Sequence, residues 1–125
     1  MSDQQLIEGP LTQSVISAFF EVYNVLRFGF LEHVYAEAME RELRHRGLQV
    51  GREVSVWVRY KGEHLTTQRL DMIVDGKLVI EIKSTYKLHP AAIRQLSSYL
   101  RGTDLKVGLL LHFGPEPKFY RQIST

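Results

Sequence analysis

The chain contains no cysteine at all, which excludes disulfides, thiol nucleophiles and thiolate metal sites and fits a reducing compartment. No charge of one sign dominates: 16 basic against 14 acidic residues leave a formal +2. A partner of either charge is therefore a matter of where the charges sit, not of their sum. No apolar stretch approaches membrane-spanning length, and Met1-Ser2-Asp3-Gln4-Gln5 lacks the basic start and apolar core of a leader. The five histidines (His33, His45, His64, His89 and His112) have no zinc-ligand spacing. There is no G-x-S-x-G for a serine nucleophile and no phosphate-binding glycine loop. Low-complexity tracts, repeats and Pro/Gly-rich linkers are missing too. These absences leave a 125-residue chain of ordinary globular composition, expected to be one soluble cytoplasmic domain over 1–125 with no membrane partner.

What is present is an ordered set of elements. Pro10 suits the first turn of a helix, and Leu11, Val15, Ala18, Phe19, Val22 and Leu26 recur at helical spacing until Gly29. A second helix is expected over 31–46, with Leu31, Tyr35, Ala38, Met39 and Leu43 inward, Gly47 as its stop, and Arg41, Arg44 and Arg46 on a solvated face. Strands are expected over 54–60, 68–74 and 77–83, linked by Lys61-Gly62-Glu63 and Asp75-Gly76. A helix over 90–100, with Ile93, Leu96 and Leu100 inward, leads to an apolar strand over 105–111, and 118–123 suits an edge strand. Strand, helix, strand implies a crossover and a parallel pair between 77–83 and 105–111. The fold class is therefore α/β, a mixed central sheet flanked by helices.

Asp71, Glu81 and Lys83 stand out because they interrupt runs of Leu, Val and Ile. Charge there is costly unless solvated, paired or bound to a cation. Two acids and an ammonium at a sheet edge can hold a hard divalent ion and steer a water onto a phosphodiester. The alternative is a solvated Glu-x-Lys pair at a strand end. Geometry sets a condition. Glu81 and Lys83 share a face, but a two-residue Asp75-Gly76 loop would put Asp71 opposite Ile80 and on the other face. Convergence needs a three-residue loop, Asp75-Gly76-Lys77, or a bulge near Asp71.

This element order, with Asp71 on the second strand and Glu81-Ile82-Lys83 on the third, resembles the PD-(D/E)xK nuclease superfamily and its restriction-endonuclease-like αβββαβ core. Gly29-Phe30-Leu31-Glu32-His33-Val34-Tyr35 is similar to the signature of the GxxExxY proteins. The resemblance runs from about Leu11 to Phe113; Leu70 stands where the superfamily name has proline. It implies a metal-dependent nuclease acting on nucleic acid, foremost DNA, with Mg²⁺ or Mn²⁺ held by Asp71, Glu81 and the Ile82 carbonyl. Lys83 would assist the attacking water. It also implies that Glu32 joins the cluster, directly or through water; the residue alone equally suits an acid at a helix N-terminus. Gln95 and Tyr99, i and i+4 on the third helix, resemble a Gln-x-x-x-Tyr element that supports the site or touches the nucleic-acid backbone. Tyr35 fits the core as well as the site. Each histidine reads first as a surface or packing residue, with the site mouth as an alternative for His89 just before Pro90, and Lys87, Arg94 and Arg101 suit phosphate contacts. A homodimer or larger assembly would supply the surface that one small domain lacks. The rival reading is a catalytically silent nucleic-acid- or protein-binding module on the same fold.

Overall fold

The computed structural model describes residues 7–124; Met1 to Gln5, read above for a leader, lie outside them. Eight elements follow in the order α1 (Gly9–Leu26), α2 (Glu32–His45), β1 (Val50–Tyr60), β2 (Glu63–Val74), β3 (Leu78–Lys83), α3 (Ala91–Gly102), β4 (Val107–Phe113) and β5 (Pro117–Ile123). The strands form one sheet in sequential order, antiparallel except for the β3–β4 pair. β4, the parallel neighbour of β3, is thus reached by the α3 crossover, as the strand-helix-strand spacing requires. No described helix is long and apolar enough to cross a membrane.

The sheet divides two apolar cores. One face carries Met72, Val74, Leu78, Ile80, Ile82, Leu109, Leu111 and Phe113 against Val15, Phe19 and Val22 of α1 and Tyr35, Met39 and Leu43 of α2. The other carries Leu70, Val79 and Leu110 against Leu96 and Leu100 of α3. α3 sits so close to β4 that a Cβ at Gly108 would lie 2.8 Å from Leu96 Cδ1, so glycine sets that spacing. All seven residues of β4 are buried, as expected of a strand covered on both faces.

Several expected boundaries move. β1 starts four residues earlier and β2 five residues earlier than the alternation implied, so the two make a long ribbon. β4 is shifted two residues towards the C-terminus. On α2 the inward set is Tyr35, Ala36, Met39 and Leu43. Leu31 is not among them: it precedes the helix in extended conformation and is 70% exposed. Arg41, Arg44 and Arg46 are held by Glu37, Glu40 and Glu42, each one turn earlier, a solvated face of modest energetic value.

Candidate active site

The site begins at a hairpin of odd length. Asp75 and Gly76 both take left-handed φ values of 52° and 67°, and Lys77 N–H donates to the Val74 carbonyl at 3.0 Å. The ladder then starts at Val74 opposite Leu78 and continues through Ile73–Val79 to Met72–Ile80. Continued by one residue, that register sets Asp71 opposite Glu81 and on the same face, the alignment a two-residue loop would have forbidden.

At that point the ladder stops and side chains take over. Asp71 N–H donates to Glu81 Oε2 at 3.0 Å, and Ile82 N–H donates to Asp71 Oδ2 at 2.8 Å. Each carboxylate reaches across the gap between the parting strands and accepts from the other strand's backbone. β1 is irregular at the same level. Glu53 takes φ 51°, and pairing skips from Arg52–Met72 to Val54–Leu70. A left-handed non-glycine residue is costly. Here it accompanies a change of face along β2, since Met72 belongs to the α1/α2 core and Leu70 to the α3 core.

Glu32 arrives from the other direction, as the first residue of α2, behind a loop held by Tyr35 and Ser84. Gly29 has φ 128°, a conformation that side-chain-bearing residues avoid. Tyr35 is fully buried, stacked on Phe113 at 4.0 Å; its hydroxyl donates to the Arg27 carbonyl and accepts from Phe30 N–H. Ser84 Oγ donates to the Phe30 carbonyl, and Ser84 N–H donates to Glu32 Oε2 at 3.3 Å. The glycine, acid and tyrosine of the heptad are thus one device: a bent loop, stapled from beneath by a core tyrosine, that presents Glu32 at the end of β3. Tyr35→Phe should keep the ring's stacking and lose the staple. The expected cost is about 1–2 kcal/mol, because two backbone groups of the loop lose their partner, checked by urea denaturation beside the parent.

Two pockets meet at Glu32. One, about 260 Å³, is lined by Glu32, His33, Arg52, Glu53, Arg69 and Asp71 among others. The other, about 320 Å³, is lined by Glu32, Lys83, Lys87, His89 and Gln95 among others. Lys83 lies beside His112 of β4, whose buried ring is bonded through Nε2 to the hydroxyl and carbonyl of Thr85. Tyr99 is half-buried beneath the acids; burial, then the charges of Glu81 and Asp71, pushes its hydroxyl above the ordinary value of 10. Arg94 is exposed on α3 and lines neither pocket. Ser84, Arg69 and Glu53 also stand at the site. Ser84 directly follows Lys83, and Arg69 precedes Asp71 at the strand period, but nothing in the residue types marks either.

The acids are under electrostatic tension. Burial first, and then the Asp71 charge, raises the Glu81 carboxyl from 4.5 to about 7; the hydrogen bond from Asp71 N–H and the charge of Lys83 oppose the rise. A crowded acid pair of this kind favours a proton or a cation between its members. Among the described residues, no three acidic or imidazole side chains gather tightly enough to enclose an ion alone. That suits a magnesium-type ion, which takes one or two carboxylates and completes its shell with water and phosphate oxygens, rather than a zinc cage.

Comparison with known proteins bears on the fold and the family. A crystal structure named "Crystal structure of SSO0001" is similar at 21% identity and a TM-score of 0.59, over 94% of this chain and 59% of that one. This chain therefore spans about three-fifths of that protein's length, and the likeness concerns the fold. No curated protein matches the chain. A family model described as the PD-(D/E)XK nuclease superfamily matches residues 9–123, from the start of α1 to the end of β5. The chain is a member of the PD-(D/E)XK nuclease superfamily.

Proposed function

We propose that the protein is an active, metal-dependent nuclease of the GxxExxY type that hydrolyses phosphodiester bonds, foremost in DNA. The observation that carries this reading is the Asp71–Glu81 pair at the parting of β2 and β3, with Lys83 two residues beyond Glu81. Asp71, Glu81 and the Ile82 carbonyl would hold Mg²⁺ or Mn²⁺, with Glu32 beside them. The ion, when bound, supplies Lewis-acid polarisation of the phosphate and a water of lowered pKa. Lys83 orients that water and offsets the charge that grows on the phosphate. Gln95 lines the same pocket as Lys83 and Glu32 and can bond a phosphate oxygen through its amide. Lys87 lines that pocket too and offers a cation to the substrate backbone, with Tyr99 beneath the acids and Arg94 farther out on α3. A second copy or a larger assembly would extend the grip on the substrate.

The rival is a silent binding module on the same fold, since a fold alone does not establish activity. Two measurements separate them. Titration with Mg²⁺ or Mn²⁺ should give saturable binding that Asp71→Asn abolishes. Incubation with linear, nicked, branched and single-stranded DNA and with RNA should give cleavage that requires the ion. No cleavage of any substrate, with or without metal, overturns the nuclease reading in favour of the module.

A further inference from the structure

Beyond Leu70 the β1–β2 ribbon leaves the sheet, since β3 pairs only as far as Met72. On β1 one face of this arm is covered: Val56 joins the α3 core, and a Cβ at Gly102 would meet Val58 Cγ1 at 3.0 Å. By alternation, Trp57 projects from the opposite face, and it is 58% exposed. Its ring rests against His64 at 4.5 Å, tilted by 32°. Ser55 pairs with Arg69 and Trp57 with Thr67, so Arg69 shares the outer face with the indole. Leu65 is the extra residue of a bulge, as Val58 pairs with Thr66 and Arg59 with His64; such a bulge increases the local twist.

This face leads into the acid pocket. Arg69 lines that pocket together with Asp71 and Glu32. Thr67 and Asp71 are four residues apart on one strand, which spans about 13 Å. An indole held in place by a second ring, open on its other side and followed by an arginine, is a stacking surface for a planar base. The arginines of the arm are already paired: Arg59 is bridged to Asp104 at 3.1 Å, and Arg69 is tied to Glu53 at 2.9 Å by an exposed bridge, which a phosphate can exchange at little cost. In a duplex the base faces are already stacked on each other, whereas an unpaired strand offers them freely.

We propose that the outer face of the β1–β2 ribbon is a docking platform for an unpaired nucleic-acid strand, with a base on Trp57 and the following phosphate on Arg69, leading towards Asp71. This rests on the nuclease reading and gives its substrate an unpaired segment beside the scissile bond. Trp57 is the chain's one tryptophan, so its emission reports this surface alone. In EDTA, oligothymidylate should quench that emission saturably, and duplex DNA of equal length should not. Trp57→Ala should weaken binding of a labelled oligothymidylate roughly 5- to 100-fold, and Arg69→Ala should lower the dependence of log K on log salt by about 0.7. Equal binding by Trp57→Ala and the parent overturns the platform. So does emission that changes on dilution of the protein alone, which would put a second copy on this face. Quenching without metal-dependent cleavage overturns the nuclease reading and leaves the platform standing; cleavage with an unresponsive Trp57 does the reverse.

Discussion

Glu81→Gln is expected to make the metal-free protein more stable at pH 8 while removing its affinity for Mg²⁺. The Glu81 carboxyl titrates at about 7 in the folded protein against 4.5 ordinarily, chiefly through burial and secondly through the Asp71 charge. The folded state therefore holds a proton that the unfolded chain releases between those values. Stability from this group is fully present below pH 4.5 and is lost as pH rises through 7. The full difference is on the order of 3 kcal/mol. Glutamine keeps an oxygen to accept from Asp71 N–H and stays neutral at every pH, so the variant should gain about 1–3 kcal/mol at pH 8 and nothing at pH 4. Thermal melts at the two pH values check this. Magnesium at a hundredfold its Kd should raise the parent's stability by about 2.7 kcal/mol and leave the variant unmoved. A variant no more stable than the parent at pH 8 would mean that the acid pair is not strained, and would remove the electrostatic reason for an ion there.

Lys83→Ala should separate binding from chemistry. Lys83 shares a pocket with Glu32 and Gln95 but lies past the two carboxylates that accept across the strand gap. Its removal should leave metal affinity within a few-fold of the parent while metal-dependent cleavage falls roughly 10²- to 10⁴-fold, the usual contribution of a group assisting proton transfer. Single-turnover rates at saturating Mg²⁺ read the second effect and calorimetric titration the first. Cleavage equal to the parent's would identify a contaminating nuclease and sink the assignment.

Much of this was legible in the residues, for identifiable reasons. The helix and strand order follows from periodicity, and the parallel β3–β4 pair follows from the length of the crossover. An irregularity followed from parity: two charges two residues apart on β3 can meet a third on β2 only through an odd loop or a bulge near Asp71, and the structure has the odd loop. The ribbon's full length was hidden because Glu63-His64-Leu65-Thr66-Thr67 is exposed on both faces and so carries no alternation. Helical spacing to Tyr35 points Leu31 inward, yet the chain enters α2 extended there. The reciprocal bonds between Asp71 and Glu81 depend on side chains reaching over a gap that no residue pattern announces. Glu53 was passed over because only its left-handed backbone, not its residue type, marks it.

The staple under the Glu32 loop has a practical side. Tyr35 touches no carboxylate of the site, and its ring belongs to the same aromatic stack as Phe113 and Phe19. A screen that scores only loss of activity would nonetheless count Tyr35 among the reactive groups, since the loop that carries Glu32 hangs from its hydroxyl. It would draw the same false inference from a cavity opened at Phe113, on which the Tyr35 ring is stacked. In this protein, damage to the interior is expected to arrive at the surface as a fault in chemistry before it registers as unfolding.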